Sequence, residues 1–175
     1  MVAAPAAKGE RSRGISALGT LVFLVLAPGT VAGLIPWWLT PWRFQAPLFG
    51  WAGRIVGGLL VFAGLLVLLD SFARFAFVGR GTPAPLVPTE RLVISGLYRH
   101  VRNPMYLAVV SMIFGQALLF GSTTLVWYGA LVWLAFHVFV RVYEEPTLRR
   151  RYGAEYDRYR AEVRRWRPSV GGYEA

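Results

Sequence analysis

The chain has 175 residues, 55% of them hydrophobic and only 16% charged, with 19 Lys+Arg against 9 Asp+Glu for a formal net charge of +10. Soluble domains carry about 25% charged residues, so this composition excludes a water-facing globular surface, and it is too apolar for a disordered chain. With no cysteine, disulfides, thiolate metal sites and Cys nucleophiles are excluded as well.

Four stretches are long enough to cross a bilayer, which takes roughly 20 apolar residues. Ile15–Leu39 is the first, in a run without charge from Gly14 to Trp42; Pro28 and Gly29 inside it predict a kink. A cleaved signal peptide is the alternative for this span, but the run exceeds the usual ~7–15-residue core and Thr30-Val31-Ala32 is a poor cleavage site. The second span runs from about Pro47 to Leu69, interrupted by Arg54, and the third from Met105 to Phe120. After Gly121-Ser122-Thr123 the fourth runs from Thr124 to about Val142, so the last two form a tight hairpin.

The positive charges set the expected orientation. Of the 19 Lys+Arg, 17 fall before span one, between spans two and three, or after span four, and the 121–123 turn has none. By the positive-inside rule both termini and the central loop are cytoplasmic. The excess charge is thereby read as a topology signal and an attraction to anionic lipid heads, and no nucleic-acid partner is expected.

Trp37, Trp38 and Trp42 cluster at the outer end of span one, where amphipathic rings anchor in headgroups. Arg54, about two turns inside span two, is read as snorkelling outward rather than as a functional intramembrane charge. His137 in span four is read as an interhelical hydrogen-bond donor, with a cavity-facing role as the alternative. Between Leu148 and Trp166, the positions Leu148, Tyr152, Tyr156, Tyr159, Val163 and Trp166 trace one face of an amphipathic helix whose other face is rich in arginine. Gly153 weakens it and Pro168 stops it. Such a helix can lie on the cytoplasmic interface or pack back as a lid, and the sequence leaves both open.

The polar residues that need explaining lie at the cytoplasmic ends of spans three and four. Pro104 suits the first turn of span three, with Asn103 as its N-cap; free amides at such a start can also hold a carboxylate or phosphate. Glu144 and Glu145 follow span four directly, one turn after Arg141. Pairing with nearby arginines is the plain reading of these acids, and a site for a cationic ligand is the functional one. The hairpin brings Tyr98, Arg102, Asn103 and Tyr106 close to Arg141, Glu144 and Glu145. Aromatic faces, carboxylates, arginine and helix-start amides together suit a zwitterion with an extra positive centre, such as S-adenosylmethionine, though residue types alone do not single it out. No strand-borne Gly-x-Gly-x-x-Gly is present; Gly79-x-Gly81 runs into Thr82-Pro83.

Gly79-x-Gly81-Thr82-Pro83, Leu92-Val93-x-x-Gly96-x-Tyr98-Arg99, Arg102-Asn103-Pro104-Met105-Tyr106, Glu144-Glu145-x-x-Leu148 and Tyr152-Gly153-x-x-Tyr156-x-x-Tyr159 occur in that order. Val163, Arg165 and Pro168 follow them. This ordered set resembles the integral-membrane methyltransferases related to isoprenylcysteine carboxyl methyltransferase and phospholipid N-methyltransferase, over about Gly79 to Pro168. The resemblance implies an all-α integral membrane fold of about four transmembrane helices plus a C-terminal amphipathic cytoplasmic helix. It implies S-adenosylmethionine bound at the cytoplasmic face and a lipophilic or small-molecule acceptor. Carried over by position, Leu92, Val93, Tyr98, Asn103, Pro104, Met105, Tyr106 and Glu144 would line the cofactor site, and Arg102 and Arg141 would contact substrate, Arg141 being offset by one residue from the family's arginine. Asn103 stands where the eukaryotic carboxyl methyltransferases have His, and Asn does not titrate. Glu90-Arg91 also departs from their usual His-Thr.

Residues 1–78 then form an N-terminal helix pair, 79–168 the cofactor-binding region and 169–175 a tail. A carboxylate or thiolate acceptor needs no base, whereas an amine or phenol must lose a proton, for which His100 is the nearest candidate. No metal is expected. An NADPH-dependent membrane reductase and a non-catalytic protein that binds lipid or a partner remain the alternatives.

Overall fold

The computed structural model describes Leu24, residues 26–77 and residues 92–173. The start of the first span, the basic N-terminal residues, the Gly79-to-Pro83 motif and Glu90-Arg91 lie outside the described residues. Every extended element among the described residues is helical.

The first span ends in a π-helical turn, Thr30–Leu34, followed by helix α1, Ile35–Leu39. A turn at Ala27 also interrupts the helix beside the kink expected at Pro28-Gly29, and Pro36 explains the π turn. Proline has no N–H to donate, so carbonyls one turn back need other partners. The Tyr128 hydroxyl donates to the Val31 carbonyl at 2.8 Å, and Gln116 Nε2 donates to that of Ala32 at 2.7 Å. In a low-dielectric setting such satisfaction is obligatory, and it ties this segment to the hairpin.

Helix α2, Gly50–Phe77, contains no proline and is apolar up to Asp70 except for Arg54. It lies along α3, Pro104–Phe120, which connects through Gly121-Ser122 to α4, Thr123–Phe139. The α2–α3 crossing is made by small residues. A Cβ on Gly115 would sit 2.7 Å from the Gly57 carbonyl oxygen, and one on Gly64 2.9 Å from that of Ala108. Close backbone approach through glycine is characteristic of helices packing in lipid, where burial alone gives little drive. Between the helices lies a core of Leu68, Phe72, Ala108, Val109, Ile113 and Val132, joined by Ala32.

The hairpin turn is closed at both ends. Gly121 has φ +73° at the α3 C-cap, and a Cβ there would run into the Ala46 carbonyl. The buried Ser122 side chain accepts from the Leu125 N–H at 3.3 Å as the N-cap of α4. Trp42 serves more than anchoring: its indole donates to Gln116 Oε1 at 3.0 Å. Arg54 reaches back to donate to the Gln45 carbonyl at 2.8 Å and lies over the rings of Phe44 and Trp51, as snorkelling requires.

Two helices, Gly50–Phe75 and Thr123–Tyr152, are long and apolar enough to cross a membrane, fewer than the four expected. Helix α3 has 17 residues, about 25 Å of rise against a hydrocarbon core of about 30 Å. Of the first span, only its last part is described. Outward-facing apolar stripes run along both long helices, with Ile55, Leu59, Phe62 and Leu66 on α2 and Trp127, Leu131, Leu134 and Val138 on α4.

After α4 the helix continues through a second π turn, Val140–Glu144, into α5, Glu145–Tyr152. The single amphipathic helix expected from Leu148 to Trp166 is instead two. Gly153, at φ +51° and ψ −125°, separates α5 from α6, Ala154–Glu162, because that conformation leaves the helical region and suits only glycine. The aromatic face faces inward: Tyr156, Tyr159 and Val163 are buried against Leu92, Ile94, Leu148, Tyr152 and Tyr173.

Candidate functional site

The segment leading into α3 is held by the chain that follows α6. The Arg102 N–H donates to the Arg164 carbonyl at 3.0 Å, that of Ser169 to His100 at 2.7 Å, and that of Tyr173 to Arg99 at 2.8 Å. Gly96 opens a short 3₁₀ turn, Gly96–Arg99, at φ +56°, where a Cβ would strike the Arg74 guanidinium. This turn seats Tyr98, whose ring meets Phe75 edge-on at 5.6 Å and whose carbonyl accepts from the Tyr159 hydroxyl at 2.6 Å.

A cavity of about 580 Å³ opens between this segment, the starts of α3 and α5, α6 and the first span. That lies within the ~300–1,000 Å³ typical of small-molecule sites. Of the residues singled out from the sequence, Leu92, Val93, Tyr98 and Asn103 line it from the segment, and Met105 and Tyr106 from α3. Arg102 and Glu144 line it too. Pro104 is buried in the first turn of α3 and does not line the cavity.

The two glutamates have different surroundings. Glu144 accepts from the Tyr106 hydroxyl at 2.8 Å, and the Tyr106 ring tilts against Phe136 with centroids 4.7 Å apart. Glu145 is held by both nitrogens of an Arg165 fork, at 2.6 and 2.7 Å, and by Arg102 at 3.1 Å. Both line the cavity; Glu145 takes the structural pairing, while Glu144 has no ion pair among the described residues. Arg102 Nη1 also reaches the Tyr156 hydroxyl at 3.3 Å, and its Nε is buried without a hydrogen-bond partner among the described residues.

Four expectations change. Asn103 stands at the N-cap position of α3 but makes no cap bond; its Nδ2 donates to the Arg165 carbonyl at 3.2 Å. Arg141 does not face the cavity and lines a separate depression with Arg149, Arg150 and Arg160. The intervening π turn, one residue wider than an α turn, puts Arg141 and Glu144 on different faces. His100 lies outside the cavity, its Nδ1 3.3 Å from the Ser169 carbonyl. His137 uses Nδ1 as an acceptor, with the Trp166 indole N–H 3.2 Å from it.

Burial pushes the phenols of Tyr98, Tyr156 and Tyr159 above the usual tyrosine range. The hydrogen-bonded pair with Glu145 raises the Arg165 guanidinium further. These tyrosines are thus neutral walls and donors at physiological pH. Sequence reasoning passed over Phe136, which has no feature to mark it in an apolar span. It also missed the role of Arg165, one of many C-terminal arginines.

Residues 52–155 match the phospholipid methyltransferase family. The chain belongs to that family, a family of membrane methyltransferases related to the isoprenylcysteine carboxyl methyltransferases. No curated protein and no solved structure matches it.

Proposed function

We propose that the protein transfers a methyl group from S-adenosylmethionine to a lipophilic or small acceptor at the cytoplasmic face of a membrane. The observation that carries this reading is the Tyr106–Glu144 pair facing a mostly apolar cavity in a chain of this family. A carboxylate suits the cofactor's ammonium, and the faces of Tyr106 and Phe136 suit a sulfonium. Arg102, whose buried Nε has no hydrogen-bond partner among the described residues, supplies a donor for the carboxylate. Leu92, Val93, Tyr98, Asn103 and Met105 complete the wall. S-adenosylmethionine held there would supply an electrophilic methyl group for the acceptor's lone pair, with a neutral thioether as the leaving group. The chain's own contribution is to bind, orient and exclude water.

The long apolar stripes of α2 and α4 support a membrane location. Because α3 lies along α2 and returns into α4, we read it as crossing too, which with the first span gives four crossings. The arginine-rich end holding the cavity is then cytoplasmic and the uncharged Gly121-Ser122 turn is outside. The test is methyl transfer from S-adenosyl-[methyl-³H]methionine into the organic extract of membranes containing the protein. Label in the extract, absent with Glu144→Gln, is expected. Equal label with and without the protein would contradict the reading.

A further inference from the structure

Glu145, which also lines the cavity, borders a second depression of about 480 Å³ together with Arg141, Pro146, Arg149, Arg150 and Arg160. Its one carboxylate is already engaged by Arg165 and Arg102. Asp157 holds Arg149 and Arg160 from beside it, at 3.2 and 3.8 Å. Among the described residues no carboxylate pairs with Arg141 or Arg150, whose Nη2 reaches only the Thr147 hydroxyl at 3.3 Å. Four guanidinium groups therefore surround a space with a deficit of negative charge. The planar fork of arginine matches phosphate oxygens better than any other side chain.

Position points to where the phosphate comes from. Arg141 lies in the π turn that directly extends α4, and the outward stripe Trp127, Leu131, Leu134, Val138 runs up to it, with Val142 72% exposed beside it. An acyl chain along that stripe would end with its headgroup at Arg141. We propose that this depression is a binding site for the phosphate of an anionic membrane lipid. The site is separate from the cavity, and the proposal stands whether or not the cavity holds S-adenosylmethionine.

The test is native mass spectrometry of the full chain released from detergent, with dioleoyl phosphatidic acid or dioleoyl phosphatidylcholine added. Retention of one phosphatidic acid in preference to phosphatidylcholine is expected. It should fall about tenfold or more in Arg141→Gln/Arg150→Gln, and should persist in the equally discharged control Arg158→Gln/Arg167→Gln. Should the first variant not fold, Arg141→Lys/Arg150→Lys keeps the charge and removes the fork, and weaker retention is again expected. Equal losses in target and control variants would mean diffuse attraction and overturn the site. Equal retention of phosphatidylcholine would overturn the anionic preference. Displacement of the lipid by an equal concentration of inorganic phosphate would overturn the lipid as its ligand.

Discussion

The Tyr106 hydroxyl lies 2.8 Å from Glu144 Oε2, joining the first turn of α3 to the π turn that follows α4. This hydrogen bond orients the Glu144 carboxylate and crosses the two ends of the hairpin. Removing a hydrogen bond to a charged group costs about 1.5–3 kcal/mol. Tyr106→Phe is therefore expected to weaken S-adenosylmethionine binding by roughly tenfold or more while the fold is retained. Titration of the variant, with circular dichroism as the fold control, checks this.

Glu145 is the structural member of the acidic pair. Its side chain and that of Arg102 are each 10% exposed, and that of Arg165 is 26% exposed. Breaking a buried ion pair from one side costs about 3–5 kcal/mol. Arg165→Met leaves Arg102 in place and Arg165 is partly solvated, so about 2–3 kcal/mol is expected, read as a lower thermal midpoint in detergent. An unchanged midpoint would show that the pair holds nothing.

Two glycines separate packing from propensity. A Cβ on Gly115 would lie 2.7 Å from the Gly57 carbonyl and 2.9 Å from the Val61 backbone N, whereas one on Gly58 meets nothing within 4 Å. Gly115→Ala must push α2 and α3 apart and is expected to reduce the yield of folded protein sharply. Gly58→Ala, on the same helix as Gly57, should be neutral or stabilising by about 0.5–1 kcal/mol. Unfolding midpoints of the two variants provide the comparison.

His100 contacts the C-terminal segment, where a Cβ on Gly172 would meet its ring at 2.9 Å, and it stands outside the cavity. His100→Asn is expected to leave the pH dependence of methyl transfer unchanged. Tyr98 and Tyr159, held neutral by burial, should add no ionisation below about pH 10. A pH-dependent rate step present in the wild type and absent in the variant would make His100 the base after all.

Much of the site was legible because the hairpin forces its two ends together: Tyr106 and Glu144 are neighbours once a two-residue turn joins α3 to α4. The inward aromatic face was legible from the spacing of Tyr156, Tyr159 and Val163, although the break at Gly153 was read only as a weakness. Arg141 was carried over by position from the family's arginine with an offset of one residue, and the structure places it on the lining of the separate depression, at the π turn that extends α4. Asn103 was read as a cap by its position, whereas the Arg165 carbonyl that takes its side chain lies 62 residues away. The first span's kink was expected at Pro28-Gly29, where the chain turns at Ala27; the second irregularity, before Pro36, was not read from the sequence.

The central claim is that this cavity binds S-adenosylmethionine through Glu144. Calorimetry on the detergent-purified chain tests it most directly, with S-adenosylhomocysteine and NADPH as comparators and Glu144→Gln beside the wild type. Saturable binding of the first two ligands, weakened roughly tenfold or more by the substitution, with no binding of NADPH, is the predicted result. Binding of NADPH alone, or S-adenosylmethionine affinity indifferent to Glu144→Gln, would contradict it.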